Sequence, residues 1–386
     1  MMRPEIYLGD RLLSDVITSE STDETATALG RLVDNFLCGK SFRVQPDAPF
    51  IQDIAGQQIL ECCTSGSSGP AKIIRRSWQS WLSSFAINRK IFSYQPQDRV
   101  AVFGTISHSL ALYGFLEALY CGLGIHMLHG LWPKSQMSQL VGHGITILYA
   151  TPTQLRMLKG EPVASVRLVL CGGGALDPAT QDQIAILFPN ADLRVFYGAS
   201  ETSFITLADR QTPAGSVGRS YPGVTLEIRN ADDGSGEIWI KSPYIFDCYA
   251  QGNSSSFERD GEFVTVGETG YLDELGNLFL QGRRDRMVTI ADQNVHPEAL
   301  ETFLATRLPK RLSAVMTFPD KLRGHFMAAY IEAGDTALDE AALRHEILET
   351  LGAVMIPRHI VMVENFALLP SGKPDLKQLQ KDHPWR

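Results

Sequence analysis

The sequence has no run of lysine and arginine long enough to follow a phosphate backbone. Its 35 Lys+Arg face 43 Asp+Glu, for a formal charge of −8, so nucleic acid is not expected as a partner. Cysteine is sparse as well. The six copies show neither metal-ligand spacing nor a paired framework, and adjacent Cys62 and Cys63 are badly placed to bridge each other, which favours a reducing compartment. No signal-peptide core opens the chain: Met1 to Leu13 includes Arg3, Glu5, Asp10 and Arg11. Together with the cysteine pattern this predicts a cytoplasmic protein. The one largely apolar stretch of bilayer length, Ser109 to Leu128, holds Glu117, His126 and three glycines. It reads as a buried amphipathic helix running into a strand, and no membrane span is expected. Internal repeats and low-complexity tracts are missing too, and the polar patch Asn253–Ser256 reads as a loop.

What is present is a chain of 386 residues, 44% apolar and 20% charged, long enough for two or three globular domains. Over its first two thirds, short apolar runs alternate with longer helical periods, an α/β signature. Val100–Phe103, Thr146–Ala150, Arg167–Cys171 and Arg194–Tyr197 predict strands. Trp78–Phe92, Ser109–Cys121, Thr153–Lys159 and Pro178–Leu187 predict helices. From Pro222 the segments Val224–Arg229, Glu237–Lys241, Tyr271–Asp273 and Leu278–Gln281 form a β-rich section broken by glycine. A smaller α+β pattern follows, with a helix from Pro297, strands near Ala314–Phe318 and Phe326–Ile331, and a helix over Leu338–Leu351. The boundary is placed at Gly282 to Asp285, which divides the chain into residues 1–282 and 283–386.

Chemistry concentrates in four segments. In Thr64-Ser65-Gly66-Ser67-Ser68-Gly69-Pro70-Ala71-Lys72, small residues let the backbone approach a ligand, hydroxyls and amides can hold phosphate oxygens, and Lys72 supplies a mobile positive charge. The spacing is not that of a Walker loop, and a Gly/Ser loop by itself is more often a surface linker. Then come Tyr197-Gly198-Ala199-Ser200-Glu201-Thr202, the segment Gly267-Glu268-Thr269-Gly270-Tyr271-Leu272-Asp273 followed by Gly282-Arg283-Arg284-Asp285, and Leu369-Pro370-Ser371-Gly372-Lys373-Pro374-Asp375. Each alone has a bland reading as a strand end, a solvated charge cluster or a terminal turn.

Together and in this order they resemble the signatures of the acyl-adenylate-forming superfamily, which includes acyl- and aryl-CoA synthetases, adenylation domains and luciferases. The resemblance runs from about Cys63 to Leu379. It implies an adenylate-forming fold: a large α/β domain with a β-rich subdomain, and a small mobile α+β domain carrying a lysine. It implies ATP, Mg2+, and CoA or phosphopantetheine as reactants and cofactors. The loop from Thr64 through Ser65, Gly66, Ser67, Ser68 and Gly69 to Lys72 would hold the phosphates, and Tyr197 and Gly198 would lie near adenine. Ser200 would meet the α-phosphate, Glu201 would help hold magnesium, and Glu268 and Arg283 would grip ribose or phosphates. Asp285 would be the hinge and Lys373 the catalytic lysine. Gly172 and Gly173, in Cys171-Gly172-Gly173-Gly174-Ala175, match a glycine turn between acyl and adenine pockets. His108 matches the gate beside the acyl pocket, although a satisfied core histidine explains it equally well.

The chain departs from the family at three places. Glu268 stands where Asp is usual, which keeps two acceptor oxygens but adds a methylene. Only 63 residues precede Thr64, so the N-terminal subdomain is expected to be trimmed, exposing a face for a partner or a homodimer. Asp292, within Ile290-Ala291-Asp292-Gln293-Asn294-Val295-His296, replaces a glycine that commonly lets the pantetheine arm pass. Ser109 falls where amino-acid-activating members carry Asp, which points to an acid without an α-amino group. Phe103, Tyr113, Phe115 and Phe204 are candidates for an apolar acyl pocket, though aromatics there are more often core. The leading expectation is ATP-dependent activation of a carboxylic acid, then transfer to CoA or an acyl carrier protein. The alternatives are a non-catalytic nucleotide- or acid-binding paralogue, and an enzyme that hands its acyl-adenylate to a partner.

Overall fold

The computed structural model describes residues 4–16, 23–46, 50–64, 72–232, 234–334, 336–369 and 373–384. Its spine is a run of parallel strands in the order Ile6–Leu8, Gly124–Met127, Arg99–Val102, Ile147–Ala150, Leu168–Gly172 and Asp192–Ala199. Helices Ser109–Cys121, Pro133–Gly142, Pro152–Met157 and Pro178–Leu187 connect them. The strands between Arg99 and Gly172 are buried almost throughout, as a parallel sheet covered on both faces requires. From Ser203 the sheet continues antiparallel through Ser203–Ala208, Ser216–Ser220, Asn277–Arg283, Glu268–Leu272 and Ser235–Lys241. The β-rich section expected from Pro222 thus begins earlier, at Ser203, where the chain turns back along Asp192–Ala199 as an antiparallel neighbour.

Local signals account for the helix ends. Asp177 caps Pro178–Leu187 by accepting from the Thr180 N–H, with proline in the first turn, where its missing N–H costs nothing. Ser109–Cys121 stops at Gly122, which takes φ 72° as a left-handed C-cap prefers. The apolar stretch Ser109–Leu128 is therefore a helix and the strand Gly124–Met127, and no helix among the described residues is long and apolar enough to cross a membrane. The expected helix Thr153–Lys159 is instead Pro152–Met157: Thr151 and Gln154 form a capping box that starts it one residue earlier, and it ends at Met157 because Leu158 takes extended backbone with ψ 132°.

Two elements escaped the periodicity. Helix Glu24–Leu37 precedes a second sheet ordered Cys248–Gln251, Lys72–Ser77, Ile59–Thr64, Phe42–Val44, Ile51–Asp53. Its central strands pair Thr64 with Lys72, so the segment 65–71 joins the two ends of one hairpin. Glu61, on the first strand of that hairpin, has its side chain fully buried between Arg43 (2.6 Å) and Arg75 (2.5 Å). Glu61→Gln is expected to lower stability by about 2–3 kcal/mol. That is below the usual loss for a broken buried pair, because both guanidiniums keep some access to water. A urea midpoint equal to wild type would show that the triad contributes nothing.

The third sheet runs Gln293–Val295, Val288–Ile290, Gly324–Glu332, Ser313–Asp320, with His359–Val363 beside Gly324–Glu332. Helices Pro297–Arg307 and Glu340–Leu351 pack on a separate apolar cluster around Leu300, Val315, Ile331 and Ile347.

Candidate active site

The carboxyl ends of parallel strands are where α/β sheets bind ligands, and one cavity of about 290 Å³ opens there. Thr64, Lys72, His108, Gly173, Gly198, Ser200, Glu201, Glu268, Arg283 and Lys373 all line it. They come from all four motif segments and from both large sheets. Ser65, Gly66, Ser67, Ser68 and Gly69 lie outside the described residues. Gly172 and Tyr197 stand next to wall residues, and Asp285 lies beyond Arg283.

Backbone crowding explains the glycine of the Tyr197–Glu201 motif. A Cβ on Gly198 would lie 2.0 Å from the Ser203 carbonyl oxygen, where the pairing of Asp192–Ala199 with Ser203–Ala208 shifts register. Likewise a Cβ on Gly172 would meet the Phe196 ring at 2.2 Å, and Phe196 lines the cavity. The tight turn after Gly198 presents Ser200 and Glu201. Ser200 Oγ shares a 2.6 Å hydrogen bond with Ser109 Oγ. Glu201 Oε1 accepts from the Tyr249 hydroxyl at 2.9 Å, and no protein donor among the described residues reaches the other oxygen. Tyr249 also lies under Lys72, whose Nζ is 5.8 Å from its ring centroid. Tyr249 has no motif around it in the sequence, and only the pairing of Cys248–Gln251 with Lys72–Ser77 brings it here.

Glu268 and Arg283 sit directly opposite each other on adjacent antiparallel strands. Burial pushes the Glu268 carboxyl above the ordinary glutamate value, while Arg283, Tyr197 and Lys373 pull the other way. The Tyr197 hydroxyl is buried and makes no hydrogen bond of good geometry among the described residues. It faces Glu268 closely enough that the carboxylate, after burial itself, raises its pKa. Arg283 holds Asp285 through two bonds of 3.0 and 3.2 Å, and Asp285 also accepts from Ser256 Oγ at 3.0 Å. Burial works against the Asp285 charge, but these donors hold its pKa below the usual aspartate value.

His108 precedes helix Ser109–Cys121 as its N-cap residue without capping it by its side chain. Its Nε2 is buried and unpartnered among the described residues, and burial, with His129 adding, lowers its pKa and so favours the neutral ring. Lys373 is exposed over its surface yet lines the same cavity. Burial lowers its ammonium pKa, with Glu268 opposing the shift. Its loop is closed by the Leu369 N–H to Lys373 O bond of 2.8 Å. Of the candidate acyl-pocket aromatics, Tyr113 and Phe204 line the cavity, whereas Phe103 and Phe115 are buried in the core. The pattern reading did not single out Arg76, Trp81 or Tyr149, which also line it.

A family model described as "AMP-binding enzyme" matches residues 51–250. An uncharacterized acyl-CoA ligase, YhfT of Bacillus subtilis, is 30% identical over 351 residues, 88% of this chain and 69% of that protein. A putative long chain fatty acid-CoA ligase, VraA of Staphylococcus epidermidis, is 28% identical, covering 82% of this chain and 70% of its own. Among solved structures, ATP-bound MatB from Rhodopseudomonas palustris superimposes with a TM-score of 0.72 at 22% identity, over 84% of this chain and 68% of that one. That match establishes the likeness of fold. The chain belongs to the AMP-binding enzyme family, the acyl-adenylate-forming superfamily, whose members activate carboxylic acids as acyl-AMP.

Proposed function

We propose that this chain joins a carboxylic acid without an α-amino group to AMP from ATP, releases pyrophosphate, and passes the acyl group to the thiol of CoA or of a carrier protein. One observation carries the reading: Lys373, Ser200, Glu201, Glu268, Arg283 and His108, drawn from distant segments, meet in a single cavity at the carboxyl end of the sheet. The acyl-CoA ligase names of YhfT and VraA support the thiol step. A non-catalytic paralogue would need no lysine in that cavity. We place the protein in the cytoplasm, where ATP and CoA are available.

In-line attack of a carboxylate on the α-phosphate needs positioning and neutralisation of phosphoryl charge. Lys373, on the cavity wall with Glu268 and Arg283, would bridge the acid and the phosphates. Ser200, oriented by Ser109, would donate to a phosphate oxygen. Glu268 and Arg283 would hold the ribose hydroxyls, and the Tyr197 hydroxyl would stiffen Glu268 once a ligand closes the site. Magnesium, when bound with nucleotide, would neutralise phosphate charge. The residues suit it in that Mg2+ takes one or two carboxylates plus phosphate oxygens, and Glu201 lines the cavity with one oxygen bound by Tyr249 and the other without a protein donor among the described residues. We further propose that residues 283–386 act as a small domain that turns about Asp285 between the two half-reactions, breaking the Arg283–Asp285 contact as it does so.

ATP–pyrophosphate exchange with pooled aryl, short-chain, medium-chain and hydroxy acids tests the first half-reaction. Silence in every pool with ATP still bound would refute it. For the second, Ala291 and Asp292 occupy a two-residue hairpin turn at φ 48° and 63°, a conformation glycine adopts without strain. Asp292→Gly is expected to leave pyrophosphate exchange at the wild-type rate and to alter CoA-dependent AMP release alone. Altered exchange would disconnect this turn from the thiol step.

A further inference from the structure

Arg75 and Arg76 are neighbours on strand Lys72–Ser77 and point to opposite faces, yet among the described residues only Arg75 has a counter-ion. Arg75 is paired with Glu61 at 2.5 Å. Arg76 is 2% exposed and, among the described residues, forms no ion pair. Its Nε donates to Ser80 Oγ at 3.1 Å and its Nη2 to Ser80 O at 3.2 Å, which leaves three of the five guanidinium N–H donors without a protein acceptor among the described residues. Its guanidinium carbon lies 4.3 Å from the Trp81 ring centroid.

A buried guanidinium without an anion is expensive, and stacking on one indole offsets only part of the cost. The fold retains it on the wall of the catalytic cavity, beside Cys62, Ser109 and Tyr113. None of these supplies the missing charge: burial pushes the Cys62 thiol up to about 12 and the Tyr113 phenol well above its ordinary value. Ser109 is engaged with Ser200. The remaining acidic influence, Asp247, is on an exposed residue outside the cavity wall.

We propose that Arg76 receives a second anionic group of the acid, so that the substrate is a dicarboxylate or a similarly anionic acid rather than a plain fatty or aryl acid. The inference rests on the adenylating function proposed above. One carboxylate would react near Ser200 and Lys373, while the other completes the donor set of Arg76 in a setting where charge-assisted bonds are strong. A plain monoacid would leave the guanidinium buried and unpaired, which is how a site built for a polar group rejects the analogue lacking it.

Pyrophosphate exchange on matched pairs (butanoate and succinate, hexanoate and adipate, benzoate and isophthalate) tests this, alongside calorimetric binding of the same acids with AMP present. The expected result is a diacid preference in kcat/KM of about tenfold or more in at least one pair, the size of a hydrogen-bonded charge contact. Arg76→Met should reduce that preference at least tenfold, and Arg76→Lys should restore part of it and so report on a variant that keeps the charge. Wild-type preference for the monoacid in every pair, or a preference untouched by Arg76→Met, overturns the proposal. Silence of every acid in exchange refutes the adenylating function instead. Calorimetry then decides the role of Arg76 by the same criterion, since diacid binding that is equal in wild type and Arg76→Met overturns it.

Discussion

Lys373→Ala is expected to lower ATP–pyrophosphate exchange by about 10²–10³-fold, the loss typical of removing one preorganised charge that stabilises a transition state. Lys373 lines the cavity, and the hydrogen bond it makes to its own loop, Leu369 N–H to Lys373 O, uses only backbone atoms. Removing the ammonium should therefore leave far-UV circular dichroism and the urea midpoint unchanged. Lysine is suited to the task because its flexible stem carries a compact charge that can follow phosphate oxygens as they move. Lys373→Arg should recover only part of the rate, because a planar fork cannot take the same place. Nucleotide affinity should change far less than the rate, because Glu268 and Arg283, the residues proposed to hold ribose, remain in the cavity wall. Equal exchange by wild type and Lys373→Ala would remove Lys373 from the mechanism.

The second large effect concerns Glu117, which lies beneath the cavity on helix Ser109–Cys121 at 1% exposure. Its oxygens accept from Asn88 Nδ2 at 2.7 Å, from the Tyr94 hydroxyl at 2.8 Å and from the Tyr149 hydroxyl. Asn88 in turn accepts from Tyr221 at 2.6 Å. Burial outweighs these donors and pushes the Glu117 carboxyl from 4.5 up to about 7. A carboxyl whose pKa is raised by folding binds its proton more tightly in the native state. The stability it contributes is thus fully present below pH 4.5 and is lost as pH rises through 7. Over that window the change is on the order of 3 kcal/mol. Glu117→Gln removes the titration while keeping the shape. The difference in stability between wild type and Glu117→Gln should therefore shift by about that amount from pH 4.5 to 7.5, read from urea midpoints. Parallel pH profiles would show that Glu117 keeps an ordinary pKa in the folded protein. Tyr149 and Tyr113, which touch this network, also line the cavity, so the same variant is expected to loosen the floor of the acid site.

Much of the site was legible because its chemistry is written in short, ordered segments. Ser200, Glu201, Glu268, Arg283 and Lys373 each sit in a few consecutive residues whose glycines the backbone needs, as the 2.0 Å approach at Gly198 shows. Helices Ser109–Cys121 and Pro178–Leu187 were legible for a similar reason, since their caps and apolar spacing are local. Strand Lys72–Ser77 was not, because one of its two neighbours, Cys248–Gln251, lies far along the chain, where spacing within a segment carries no information about it. Tyr249 and Arg76 went unseen with it. An arginine pair in a strand looks solvated on both faces until the sheet shows that one has Glu61 and the other does not.

The sequence by itself determined the family, the order of the motifs and the identity of the groups that would handle ATP, because these depend on residue type and on spacing within a few bonds. The tertiary structure alone decided which of those groups share a cavity, that Glu201 is oriented by Tyr249, that Glu117 holds its proton to about pH 7, and that Arg76 forms no ion pair among the described residues. Charge, burial and hydrogen bonding act through space with a strength set by the surrounding dielectric, and that surrounding exists only once distant segments have packed.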